Sequence, residues 1–161
     1  MQDCRPGVAP VVKGDRLTKD QCLINEVEMR TMKDEPYVSV VGCLIYIQVC
    51  TRPDIAFVVN MLGRFSSNPG WAHWVAAKKM TRYLQHTKDF MLLYKKVDDL
   101  DLLVYSDSNF AGCQDTTKSI SGYIFMLGGG VIFWKSEKQS ITTTSTMEAE
   151  LVLRLLHMLS G

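Results

Sequence analysis

Three acidic side chains and one basic stripe are the residues of this sequence best suited to chemistry. Asp107 closes a run in which Leu103, Tyr105 and Asp107 alternate to one side, and Glu148 and Glu150 stand in the first turns of the helix-forming segment MEAELVLRLLHML. A carboxylate from a strand and one from a helix can converge on a divalent cation such as magnesium, because hard cations take oxygen ligands and phosphate supplies the rest. Acids at strand ends and in first helical turns also serve as caps or surface charges, so spacing alone leaves both readings open. Lys78, Lys79 and Arg82 could approach nucleic-acid phosphates, which cations neutralise without reading sequence, although a solvated helix face is the plainer reading. His73, beside Trp71 and Trp74, suggests either stacking on bases or a helix that buries its tryptophans. Gly128-Gly129-Gly130 lacks the lysine and helix that follow a phosphate loop and predicts a hairpin turn.

The elements that must position these residues follow from pattern and punctuation. Pro6, Gly7, Pro10, Gly14 and Pro36 break up residues 1–36, which read as an extended N-terminal arm. Val38, Val41, Leu44, Ile45 and Val49 recur at helical spacing and predict a buried helix over about residues 37–50. Thr51-Arg52-Pro53-Asp54 reads as a helix start: a hydroxyl cap, a proline in the first turn and an acid at the positive dipole end. That second helix should reach about Ser66, where Ser67-Asn68-Pro69-Gly70 supplies turn chemistry, and a third should run from Trp71 to His86. Phe90–Tyr94, Leu102–Ser106, Gly122–Leu127 and Val131–Lys135 are short runs of aromatic and branched residues that predict strands, the last two forming a hairpin. A final helix should begin near Ser145. The expected fold class is therefore α+β, with helices first, mainly antiparallel strands next and a helix last.

A chain of 161 residues that is 47% hydrophobic can bury a core, and its 18 basic and 17 acidic side chains nearly cancel. No whole-chain field holds a polyphosphate, so any nucleic-acid contact needs locally clustered charge. Five cysteines, Cys4, Cys22, Cys43, Cys50 and Cys113, form neither a C-x-x-C pair nor a zinc-like spacing, and reduced, mostly buried thiols are expected. No signal-peptide core and no apolar run near the roughly 20 residues of a spanning helix is present, which predicts an intracellular protein, cytoplasmic or nuclear, without a membrane partner.

Longer stretches carry a resemblance. YVSVVGCLIYIQVCTRPDIAFVVNMLGRF, NPGWAHWVAAKKMTRYLQHTKDFMLLYKK, YSDSNFAGCQDTTKSISGYIFMLGGGVIFWKS and KQSITTTSTMEAEL resemble the C-terminal part of the Pol polyprotein of copia-type long-terminal-repeat retrotransposons. In that part a reverse transcriptase runs into a ribonuclease H domain. The resemblance implies that residues 37–90 are a helical reverse-transcriptase tail and connection, and that residues 91–161 are a truncated ribonuclease H-like domain. It also places the polymerase aspartates upstream of Met1.

The family's chemistry uses four acids to hold two magnesium or manganese ions about 4 Å apart, which cut the RNA strand of an RNA–DNA hybrid. The resemblance assigns Asp107 to the first acid and Glu150, in the segment usually read S-T-x-E-A-E-Y, to the second, while Glu148 should point outward or cap. The third and fourth acids belong to a later strand and helix, so catalysis is expected to be incomplete. Asn109 in place of a second aspartate, Leu151 in place of tyrosine, and Arg154 in a small or apolar stretch point the same way. An incomplete sheet should also expose an edge and an apolar face, and so favour association with other chains. Transposon-derived chains of this size further resemble an oomycete protein catalogued as an RxLR-type effector, which makes a non-catalytic interaction protein the alternative; this sequence contains no R-x-L-R tetrad.

Overall fold

The computed structural model describes residues 17–109, 112–113 and 115–159, with side chains described through Val152. Residues 1–16 of the expected arm, with Cys4, lie outside the described residues, as do Phe110, Ala111 and the side chain of Arg154. The chain divides into two compact units, residues 1–91 and 92–161.

The first unit is helical. The stretch expected to be extended carries a 3-10 turn, Lys19–Gln21, and helix α1, Glu26–Lys33. No proline or glycine falls between Gly14 and Pro36, and Asn25 starts α1 by accepting the Glu28 N–H at 2.9 Å. Glu28 reaches back to the Ile24 N–H at 3.1 Å, and this reciprocal cap overrides the polar look of the segment. Helix α2, Tyr37–Cys50, and helix α4, Trp71–His86, have the expected bounds, whereas α3 is shorter than expected, Ala56–Gly63, and follows a 3-10 turn, Pro53–Ile55.

Burial of Tyr37, Val41, Leu44, Ile55, Val59, Leu62, Trp74, Ala77 and Met80 makes the core. Each large aliphatic taken fully out of water contributes about 1.5–3 kcal/mol. The Tyr37 hydroxyl donates to the Leu62 carbonyl at 2.8 Å, pinning α2 to α3 inside this core, and burial pushes that phenol's pKa well up. Of the five residues expected to form the buried face of α2, only Val41 and Leu44 are buried, while Val38 and Val49 are 61% and 63% exposed. The helix has no charged residue, so apolar periodicity could not single out the inward face. At the start of α4 a Cβ on Gly70 would fall 1.7 Å from the Gln21 carbonyl oxygen, so only glycine permits that approach.

The second unit is an antiparallel meander followed by a helix: β1, Leu102–Asn109; β2, Ile120–Leu127; β3, Gly130–Lys138; and α5, Thr146–Leu159. The strand order is β1-β2-β3, with Asp107 opposite Gly122 and Ser108 opposite Ser121. Gly128 and Gly129, at φ +54° and +80°, form the two-residue β2–β3 turn, whose positive φ values match the twist of the flanking strands. The strand expected at Phe90–Tyr94 is absent: Tyr94 instead donates its hydroxyl to the Val131 carbonyl at 2.7 Å and leaves its backbone out of the ladder. Helix α5 packs against β1. Helices with one antiparallel sheet make the chain α+β.

Candidate functional site

The contact between α5 and β1 joins the two elements that carry Asp107 and Glu150. Glu148 is committed elsewhere. It accepts from the Thr144 N–H at 2.6 Å and the Thr144 hydroxyl at 2.8 Å, while its own N–H donates to Ser145 Oγ at 3.2 Å. The Thr144 backbone and side-chain donors hold its carboxyl below the usual range. Asp107 and Glu150 are both exposed, and neither side chain enters a hydrogen bond or ion pair among the described residues. The cap reading thus applies to Glu148 alone, and two uncommitted carboxylates remain.

Their geometry has a constraint. Gln139, 1% exposed, donates from Nε2 to Ser121 Oγ and to the Ala149 carbonyl, each at 2.8 Å, and stands 3.5 Å from Ser108 Oγ. Ser108 therefore faces the α5 side of the sheet. Alternation along β1 turns Asp107 to the face of the strand away from α5. Among the described residues no group of three or more His, Cys, Asp or Glu gathers to hold a metal ion. Asp107 and Glu150 are oxygen donors of the right kind for magnesium or manganese, but as a pair they supply only part of a donor set. Gln139 had no signal in the sequence, since its partners are a backbone carbonyl and two hydroxyls distant along the chain.

The basic stripe on α4 separates into unlike members. Lys78 Nζ lies over the Trp71 and Trp74 rings, 4.8 and 5.3 Å from their centroids, so its charge already has a cation–π partner. Lys79 is half-buried and Arg82 is exposed. His73 is fully buried: its Nδ1 accepts the Gly70 N–H at 2.9 Å and its ring stacks on Phe65 at 4.0 Å, which removes it from any base-stacking role. Trp74 is core, whereas Trp71 is 49% exposed.

Arg52 is the most elaborate polar centre of the helical unit. Its Nε and Nη2 donate to the two oxygens of Asp54 at 2.8 and 2.7 Å, and Nη1 and Nη2 reach the carbonyl and hydroxyl of Thr87 at 3.1 and 2.6 Å. Tyr83 donates to Asp54 at 2.9 Å, and the guanidinium lies over the Tyr83 and Phe90 rings. Desolvation works to raise the Asp54 pKa, but the Arg52 and Tyr83 hydrogen bonds outweigh it and hold the carboxyl below its usual range. Thr51-Arg52-Pro53-Asp54 is thus not a hydroxyl-capped helix start. Thr51 ends α2 through its N–H to the Ile47 carbonyl, whereas Pro53 and Asp54 do stand in the first turn of the 3-10 helix as expected, with Asp54 also paired to Arg52.

No disulfide joins the described cysteines, and the expectation of mostly buried thiols is corrected: Cys113 is buried, but Cys43 and Cys50 are exposed on α2. Among the described residues no helix is long and apolar enough to cross a membrane.

No protein-family model and no solved structure matches the chain. Curated relatives do. The chain is 40% identical over 152 residues to the Retrovirus-related Pol polyprotein from transposon TNT 1-94 of Nicotiana tabacum, covering 94% of this chain and 11% of that protein. It is 36% identical over 152 residues to the Retrovirus-related Pol polyprotein from transposon RE2 of Arabidopsis thaliana, covering 93% of this chain and 10% of that protein. It is also 42% identical over 119 residues to Secreted RxLR effector protein 161 of Plasmopara viticola, covering 74% of this chain and 84% of that protein. The chain spans about a tenth of the length of the Pol polyproteins it matches. With identity carried across more than nine-tenths of its residues, the chain belongs to the copia-type retrotransposon Pol polyprotein family.

Proposed function

We propose that the second unit is the opening part of a ribonuclease H-like fold and that the helical unit is the end of a reverse transcriptase with its connection. The observation that carries this reading is the order of parts: an antiparallel β1-β2-β3 meander, then α5 packed on β1, with Asp107 on the strand and Glu150 near the start of the helix. In such a site magnesium or manganese would prepare a water and stabilise the leaving oxygen as the RNA of an RNA–DNA hybrid is cut. This unit's contribution is two carboxylates, left free of caps and ion pairs among the described residues; the helical unit, taken by itself, exposes Arg82, a cation suited to phosphate. Two carboxylates balance two divalent ions less well than four, so this chain alone binds metal weakly and cleaves little or nothing.

Manganese titration of the whole chain, watched through backbone amide signals, should broaden residues around Asp107 and Glu150 first, and a hybrid-cleavage assay should stay at background. Efficient metal-dependent cleavage abolished by Asp107→Asn would refute the inactivity. Broadening spread evenly over all exposed acids would refute the site.

The match across 84% of Secreted RxLR effector protein 161 favours one second reading, a non-catalytic interaction protein of transposon origin. Export of a tagged full-length chain from producing cells would support it over the first.

A further inference from the structure

We infer that Gln139 is a positioning residue for the proposed metal site, setting the start of α5 against the sheet and thereby Glu150 relative to Asp107; this rests on the reading given under Proposed function. Gln139 touches the immediate neighbours of both acids. Its Nε2 donates to the carbonyl of Ala149, the residue before Glu150, and lies 3.5 Å from the hydroxyl of Ser108, the residue after Asp107. The stronger sheet contact, to Ser121 Oγ at 2.8 Å, falls on the residue paired with Ser108 across the β1–β2 ladder.

Chemistry fixes which way the amide points. A backbone carbonyl only accepts, so the Ala149 side must face the Gln139 nitrogen, and Oε1 turns to a site where it is buried without a hydrogen-bond partner among the described residues. An unpaired buried acceptor carries a cost, so the amide is placed for its donors. Its backbone is held as well: the Gln139 N–H donates to the Ser119 carbonyl at 2.9 Å, extending the β2–β3 ladder by one bond. Beside it, Ser119 Oγ and Thr143 Oγ1 share a buried hydrogen bond of 2.9 Å, which closes the loop leading to α5. A glutamine with one end in the ladder and the other on the helix transmits sheet register to helix placement.

The test uses the full chain and manganese alone as the probe. In Gln139→Leu the manganese concentration that half-broadens the Asp107 and Glu150 amides should rise about 10- to 100-fold, the range seen when outer partners of metal ligands are lost. Nuclear Overhauser contacts between Ala149 and Ser121 should weaken in the same variant. Because Gln139→Leu can also loosen packing, Gln139→Glu supplies a readout that packing would not move. In that variant a protonated carboxyl donates to the Ala149 carbonyl as the amide does, while an ionised carboxylate sets negative charge against it. Without metal, the Ala149–Ser121 contacts in Gln139→Glu should therefore be present at low pH and lost as pH rises, with no such change in the parent chain. A pH-independent Gln139→Glu, or a Gln139→Leu variant whose manganese response is unchanged, would overturn the proposal. A parent chain indifferent to manganese whose Gln139→Glu variant still shows the pH-dependent contacts would overturn the metal reading and uphold the clamp.

Discussion

The helical unit and the sheet unit solve the same problem with different materials. In the first, Leu44, Ile55, Leu62, Ala77 and Met80 are at most 2% exposed and form one apolar core, with Arg52 gathering the polar groups at its margin. In the second, the buried residues include Ser119, Ser121, Gln139 and Thr143, while Leu102, Leu103, Val104 and Tyr105 of β1 all stay exposed. Stability in the helical unit comes from area removed from water, which tolerates rearrangement. Order in the sheet unit comes from directional bonds, which fix geometry at less energy each. The candidate carboxylates lie in the directional unit, as expected of groups that must be placed accurately.

The sharpest way to break this contrast is Leu62→Ala. It should cost the helical unit about 3–5 kcal/mol by leaving a cavity, seen as a large drop in its denaturation midpoint, while amide signals of β2 and β3 stay in place. Equal loss in both units would erase the distinction. Arg52→Met comes next, at about 2–4 kcal/mol, because it leaves Asp54 and Thr87 without their shared donor and the Tyr83 ring without its cation. Acid should expose the same centre. The Asp54 pKa is depressed by folding, so its contribution is complete above the ordinary carboxylate range and is lost as pH falls through the lowered folded value. Thermal melts of the parent chain and of Asp54→Asn should therefore converge as pH falls. The smallest effect belongs to the sheet unit: Gly129→Ala, at a φ of +80° with open space around it, should cost about 1 kcal/mol by strain alone. A loss several times larger would mean the hairpin turn is more central to that unit than its directional bonds.

Much of this was readable from residues. Pro36 and the Ser67–Gly70 turn fixed the starts of α2 and α4, and the triple glycine placed the hairpin, because backbone restrictions act locally. The inward face of α2 was not readable, since a helix without charge offers several equally apolar faces and the choice falls to a distant contact, Tyr37 on Leu62. Arg52 and Asp54, two residues apart, looked like capping chemistry because their third and fourth partners, Tyr83 and Thr87, lie some thirty residues on. At the candidate site, the resemblance nominated Asp107 and Glu150, and the capping role of Glu148 was anticipated. Gln139 was not, because a glutamine between a strand and a polar loop has no pattern until the fold brings Ser121 and Ala149 to it.

The position of β1 in the sheet leaves a signature in isotope exchange. Among the described residues its inner edge pairs with β2 and no strand pairs with its outer edge. In an antiparallel ladder alternate residues send their N–H groups to opposite sides, so from Leu102 to Asn109 every second amide should hold its proton and every second one should trade it with solvent quickly. Deuterium uptake along β1 would then rise and fall with a period of two, and addition of any extended segment to that edge would flatten the pattern without moving a side chain.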